Sequence, residues 1–178
     1  AFQIGERSHA HSELYMISDD SLAEAIKLYD TLPIIRDISR GVEINEKDIE
    51  RFRAEVRSPD DIQRLISSAS ITDVVAIFLA SAVEMHSSDI HIEAEEKQIV
   101  VRFRLDGVLN DVASMPHERW KELISRVKLI SGLKLNIVSA PQDGRFTVLL
   151  GGEKADVRVS TLPTAFGESV VMRLLLPS

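Results

Sequence analysis

The chain has 178 residues, of which 44% are apolar and 28% charged, with a net charge of −7 and no cysteine. This composition predicts one or two folded domains with a buried core, and it excludes disulfides, thiolate metal sites and a cysteine nucleophile. The acidic balance argues against nonspecific nucleic-acid binding, which requires a basic surface. No glycine is followed by lysine, so the sequence contains no phosphate-binding P-loop.

Neither a membrane span nor a secretion signal is predicted. No apolar run reaches the roughly 20 residues that a spanning helix needs, and residues 1–10 lack the apolar core of a signal peptide. We therefore expect a cytoplasmic chain. Because it begins without methionine and ends just after the apolar run 170–176, we also expect it to be part of a longer protein.

The first 70 residues are the more acidic part of the chain. They hold 14 acidic and 9 basic residues, whereas residues 71–178 hold 14 and 12. Ser21, Asn45 and Ser58 each precede a short amphipathic pattern and have an acidic residue three positions on, which predicts three capped helices. Since isolated helices of about ten residues are marginal in water, residues 1–70 are predicted to be a helical N-terminal segment that packs on the remainder or on another chain.

Residues 71–178 are predicted to form one α+β domain. Apolar residues at helical spacing predict helices over 71–83 and 116–131, the second ending at Gly132. Alternating apolar residues predict strands over 89–93, 101–105, 108–113, 145–150, 153–161 and 169–176. Turns are predicted at Asp106-Gly107, Asp143-Gly144 and the glycine pair 151–152. Helices on one face of a largely antiparallel sheet are the expected architecture.

The first strand of this domain carries three side chains capable of chemistry. Asp89, His91 and Glu93 lie on one face, a set that suits metal binding or acid–base catalysis. Antiparallel pairing with the next strand instead places Asp89 opposite Arg102 or Arg104, in an ordinary cross-strand ion pair. We favour the cross-strand interpretation, because no second histidine stands nearby, and predict no metal site.

The glycine pair 151–152 fixes how its flanking strands pair. Counting back from a two-residue turn places Arg145 opposite Arg158. Directly opposed like charges are destabilising unless an anion or a carboxylate lies between them. Asp156, diagonal to Arg145, could supply the carboxylate; alternatively, the arginines face a bound anion, for which the guanidinium fork is well suited. The pairing alone favours neither.

Two further basic features stand out. Arg173 is the single charge after Glu168 and lies in an apolar strand, so it either extends to water or meets a partner. The predicted helix 116–131 carries a basic surface, interpreted as a solvated face. Its members are Arg119, Lys121, Arg126 and Lys128.

Short sequence strings in the second part of the chain carry a family resemblance. They are SDIHIE at 88–93, VRFRLDGVL at 101–109, PQDGR at 141–145, DVRVSTLP at 156–163, and GE at 167–168 followed by VVMRLL at 170–175. Together they closely resemble the domain that precedes the P-loop core in the secretion ATPases of type II secretion systems and type IV pilus assembly machines. The resemblance covers about residues 71–176, and residues 1–70 match only loosely.

The resemblance implies a PAS-like module that a short linker joins to a RecA-like ATPase domain. In this family the RecA-like domain binds ATP and magnesium and assembles with neighbouring subunits into a hexamer. The hexamer acts from the cytoplasm on an inner-membrane platform protein. Arginines of the PAS-like module contact the nucleotide phosphates. By motif these are Arg158 in DVRVS and Arg173 in VMRLL, with Arg145 a weaker candidate.

The chain is thus expected to be the N-terminal regulatory fragment of a hexameric ATPase powering type IV pilus assembly or type II secretion. Without Walker motifs, the fragment itself is expected to hold no catalytic residue and no cofactor. This chain has Ser169 where the family usually has an arginine. The role of that arginine in the family is therefore not assigned to this chain. The alternatives are a stand-alone PAS-like ligand-sensing or protein-interaction domain, and an acid–base enzyme using the first strand.

Overall fold

A computed structural model describes residues 16–31, 46–150 and 153–176. The chain divides into two compact units, Ala1–Ile38 and Ser39–Ser178. The described part of the first unit contains helix α1 (Asp19–Thr31). Within the described residues, no helix has the length and apolar content needed to cross a membrane.

Helix α1 begins before the predicted cap. The Ser18 hydroxyl accepts a hydrogen bond from the Ser21 backbone N–H at 3.2 Å, so Ser21 lies in the first turn and the prediction that it caps the helix was wrong. Asp19 and Asp20 also fall in this turn, where negative charge is favoured by the helix dipole. The cap predicted at Asn45 lies outside the described residues.

The second unit combines four described helices with a six-stranded sheet. The helices are α2 (Glu46–Glu55), α3 (Pro59–Ser68), α4 (Ile71–Glu84) and α5 (Trp120–Ile130), the last preceded by a 3-10 turn (His117–Arg119). The strands are β1 (Asp89–Ala94), β2 (Gln98–Leu105), β3 (Val108–Pro116), β4 (Gln142–Leu150), β5 (Glu153–Thr164) and β6 (Gly167–Leu175). Their order is β3-β2-β1-β6-β5-β4, and every neighbouring pair is antiparallel. The predicted α+β class is confirmed.

The short helices α2 and α3 pack into the same core as the sheet. Ser58 caps α3 as predicted, accepting a hydrogen bond from the Asp61 N–H, with Pro59 at the first helical position. Ile49 of α2 and Ile62 of α3 are fully buried in one hydrophobic cluster with α4, α5 and the strands. The compact unit that begins at Ser39 therefore takes in helices from the segment 1–70.

Helix α5 is shorter and more buried than its sequence pattern predicts. Pro116 ends β3, and the helix proper begins at Trp120. The predicted solvated basic surface holds only for Lys121, which is exposed. It was wrong for the other three members, because Arg126 and Lys128 are buried and Arg119 donates hydrogen bonds to two carbonyls at the end of α3. The predicted end at Gly132 is confirmed: its φ of 71° is the left-handed conformation that terminates helices.

The predicted turn at Asp143-Gly144 was wrong, since both residues lie inside β4. A Cβ atom at position 144 would overlap the carbonyl oxygen of Ser131 and lie 2.7 Å from Cδ2 of Leu133. Gly144 therefore lets the strand approach the end of α5 closely, which is the other common reason for glycine in a strand.

We expect Gly144→Ala to lower the free energy of unfolding by about 1–3 kcal/mol, the usual range for overpacking a well-packed site. Urea denaturation of the chain would measure the change. Leu149→Ala is the control, because Leu149 is an exposed residue of the same strand. An alanine at 144 as stable as glycine would contradict the close approach.

Candidate functional site

The candidate site lies on the sheet face that turns away from the hydrophobic core. Strand residues alternate between the two faces, so core residues such as Val157 and Val159 leave Arg158 on the outer face. The predicted pairing across the glycine turn is confirmed: Leu150 lies opposite Glu153 and Arg145 opposite Arg158.

A third arginine continues this alignment. Arg158 of β5 lies directly opposite Arg173 of β6, so Arg145, Arg158 and Arg173 form a row across three adjacent strands. Directly opposite residues of antiparallel strands have Cα atoms about 4.5–5.5 Å apart. We call these three residues the arginine row. It brings together all the site residues that the sequence predicts.

The acidic residues that the structure describes in β4 and β5 form no ion pair with Arg145 or Arg158. Asp156 accepts a hydrogen bond from the Thr147 hydroxyl at 2.7 Å, and Asp143 accepts one from the Ser160 hydroxyl at 2.5 Å. Among the described residues, none forms an ion pair or side-chain hydrogen bond with Arg145 or Arg158. Two adjacent guanidinium groups thus remain available to an anion.

Arg173 does have a partner within the chain. Its Nε donates a hydrogen bond to Oδ1 of Asp89 at 2.8 Å, while 62% of its side chain remains exposed. The two residues are directly opposed in the pairing of β1 with β6. Both sequence interpretations of Arg173 therefore hold in part, since it reaches solvent and also meets a carboxylate.

Asp89 joins Arg173 to a fourth arginine. Nε of Arg104 lies 3.2 Å from Oδ2 of Asp89, which confirms one of the two cross-strand partners predicted for it, and the Ser88 hydroxyl donates to the same oxygen at 2.8 Å. Burial raises the pKa of Asp89, but the hydrogen bonds from Arg173 and Ser88 and the two arginine charges outweigh it. The resulting pKa lies below the ordinary value, so Asp89 is ionised at neutral pH.

Of the other two side chains of the proposed acid–base set, Glu93 forms a similar cross-strand ion pair, whereas Nε2 of His91 is buried without a hydrogen-bond partner among the described residues. Oε2 of Glu93 lies 2.7 Å from Nη1 of Arg102. Burial and the charge of Arg104 lower the pKa of His91, against the opposing charges of Asp89 and Glu93. In residues 16–31, 46–150 and 153–176, no three metal-ligating side chains come together. This strand therefore provides ion pairs.

Comparison with known proteins places the chain in a family. A family model described as "Type II/IV secretion system protein" matches residues 64–178. The chain belongs to this family. The match covers the whole sheet, and with it the arginine row and Asp89.

Individual members of the type II/IV secretion family are also similar. The chain is 38% identical over 175 residues to the type II secretion system protein E of Xanthomonas campestris pv. campestris, covering 88% of this chain and 31% of that protein. It is 38% identical over 166 residues to the type IV pilus assembly ATPase PilB of Myxococcus xanthus, covering 92% and 29%. The type II secretion system ATPase E of Vibrio cholerae is 35% identical over 177 residues, covering 98% and 33%. The chain spans about a third of the length of these relatives.

Ser169, where the family resemblance implies a further arginine, lies away from the row. Ser169 is opposite Glu93 on β1, whereas Arg173 is opposite Asp89. Four residues of strand separate the two positions on β6, which is about 13 Å. The serine therefore leaves the charge of the row unchanged.

One buried ion pair of this secretion-family domain was not predicted from the sequence. Nζ of Lys128 lies 2.7 Å from Oε2 of Glu168 and also donates to the carbonyl of Ile137, and both charged side chains are buried. A signal was present, because Lys128 stands four residues after Ile124 on the inward stripe of α5. The ion pair connects α5 to the beginning of β6, the strand that carries Arg173.

Proposed function

We propose that this chain is the PAS-like domain that precedes the RecA-like ATPase domain in a secretion or pilus-assembly ATPase. In this proposal the arginine row binds the β- and γ-phosphates of ATP held by the RecA-like domain. Arg158 and Arg173 are the principal contacts, and Arg145 extends the row. The observation that carries the proposal is the alignment of three arginines across adjacent strands, two of them without a partner among the described residues.

Aligning three arginines on adjacent strands has an energetic cost. Like charges directly opposed on neighbouring strands destabilise a sheet. An anion between them removes the repulsion and gains charge-assisted hydrogen bonds, worth about 1.5–3 kcal/mol each. A triphosphate suits such a row because it carries several negative charges and presents oxygens that guanidinium groups bind in a bidentate manner.

The setting of the site follows from the family resemblance and is part of the proposal. ATP carries magnesium when bound, and the metal contributes charge neutralisation and alignment of the phosphates. The arginine row offers donors only, so this chain supplies contacts to phosphate oxygens and leaves the metal to groups outside it. The RecA-like domain forms a hexamer with its neighbours, and movements of this chain against it pass to an inner-membrane platform protein from the cytoplasmic side.

The test of this function is ATP turnover by the full-length protein with substitutions at Arg158. We expect Arg158→Ala to lower kcat/KM at least about 10-fold, because one charge-assisted contact is lost. Arg158→Lys should retain more activity than Arg158→Ala, since lysine keeps the positive charge but lacks the paired donors of the guanidinium group. Lys154→Ala is the matched control, an exposed cation on the same strand and face. Turnover by Arg158→Ala equal to that of the control would exclude the proposed contact.

A further inference from the structure

We propose that Asp89 is a positioning residue that holds the guanidinium of Arg173 in the orientation for phosphate binding. This inference rests on the proposed function. It concerns a carboxylate on β1, a strand that lies beyond the arginine row.

Asp89 is itself firmly held. Its side chain is only 4% exposed, and its Oδ2 accepts a hydrogen bond from Ser88 while lying 3.2 Å from Nε of Arg104. A buried carboxylate that accepts several hydrogen bonds has a well-defined orientation, because rotating the side chain would break those bonds and leave its charge uncompensated. Asp89 can therefore impose its own orientation on a flexible neighbour.

Arg173 is such a neighbour. Its long side chain is 62% exposed and would otherwise sample many rotamers. Asp89 engages it through Nε, the nitrogen nearest the backbone. Among the described residues, no partner takes either Nη atom. The contact thus restrains the guanidinium plane while leaving its outer nitrogens to bind an anion.

The position of Arg173 between two neighbours strengthens this assignment. On β5 it faces Arg158, which repels it, and on β1 it faces Asp89, which attracts it. Because β1 and β5 flank β6 on opposite sides, repulsion by Arg158 and attraction by Asp89 both draw the Arg173 guanidinium towards β1. Asp89 therefore restricts the orientations from which the outer nitrogens of Arg173 can meet an anion.

A double-mutant cycle in the full-length protein tests the assignment. The variants are Asp89→Asn, Arg173→Ala and the two combined, with Glu93→Gln as the control, a same-face carboxylate of β1 whose partner is Arg102. We expect Asp89→Asn to lower kcat/KM for ATP about 10-fold, within the range for coupled neighbours. In the Arg173→Ala background the same change should have less than about a 2-fold effect, because the group it positions is gone.

Other outcomes of the cycle would overturn either this inference or the proposed phosphate contact of Arg173. Equal losses from Asp89→Asn in both backgrounds would show a structural role and overturn the inference. A rise in kcat/KM would also overturn it, by showing that Asp89 competes with the phosphate for Arg173. Normal activity of Arg173→Ala would instead refute the proposed contact of Arg173 itself. Should Asp89→Asn fail to fold, Ser88→Ala removes one support of Asp89 and should produce a smaller loss that likewise vanishes in the Arg173→Ala background.

Discussion

Replacing Glu168 with alanine is expected to lower the free energy of unfolding by about 3–5 kcal/mol, the range for breaking a buried ion pair. Lys128, which is 1% exposed, would lose its charged partner and keep the carbonyl of Ile137 as its remaining contact among the described residues. Few single substitutions in a domain of this size have a larger effect. Urea denaturation of the chain, followed by circular dichroism, measures the loss.

Two comparisons separate this effect from a general loss of packing. The double variant Lys128→Met with Glu168→Leu should be much more stable than Glu168→Ala, because replacing both charges with apolar groups leaves none uncompensated. Arg64→Ala breaks an exposed ion pair with Asp61 and should cost no more than about 1 kcal/mol. A Glu168→Ala chain within 1 kcal/mol of the parent would contradict the buried pair.

The parts of the site that sequence predicts are those fixed by local geometry. A two-residue turn determines every pair in its hairpin, which is why the opposition of Arg145 and Arg158 could be stated before the structure. The capping of α3 by Ser58 is equally local. In both cases the interacting residues are separated by a short, well-defined stretch of chain.

The parts that sequence misses depend on contacts between distant segments. Asp89 and Arg173 meet because β1 lies beside β6, and no periodicity fixes the pairing of strands 84 residues apart. Gly144 appeared to mark a turn because the helix end that it accommodates is a tertiary neighbour. Lys128 was assigned to solvent because an isolated lysine is rarely buried, and its partner lies 40 residues away.

Replacing Arg158 and Arg173 together with alanine is expected to reduce ATP turnover more than any other change discussed for the full-length protein. Each contact with a phosphate is worth about 1.5–3 kcal/mol, so kcat/KM should fall at least about 100-fold. The effects need not add, because the two residues are direct cross-strand neighbours. Steady-state ATP hydrolysis over a range of ATP concentrations measures the loss.

The same substitutions should leave the fold intact. Both side chains are exposed, and removing directly opposed like charges relieves their repulsion, while the buried Asp89 loses the hydrogen bond from Arg173 and keeps that from Ser88. The expected pattern is therefore lost turnover with a fall in stability of no more than about 1–3 kcal/mol. A larger fall would point to a packing role for the arginines.

The central claim, that the arginine row binds the phosphates of ATP, is tested most directly by kcat/KM for ATP hydrolysis in this double variant. The control is Lys121→Ala with Lys154→Ala, which removes two exposed cations outside the row. We predict a loss of at least about 100-fold for the arginine variant and no more than about 2-fold for the control. Equal kcat/KM values for the two variants would contradict the claim.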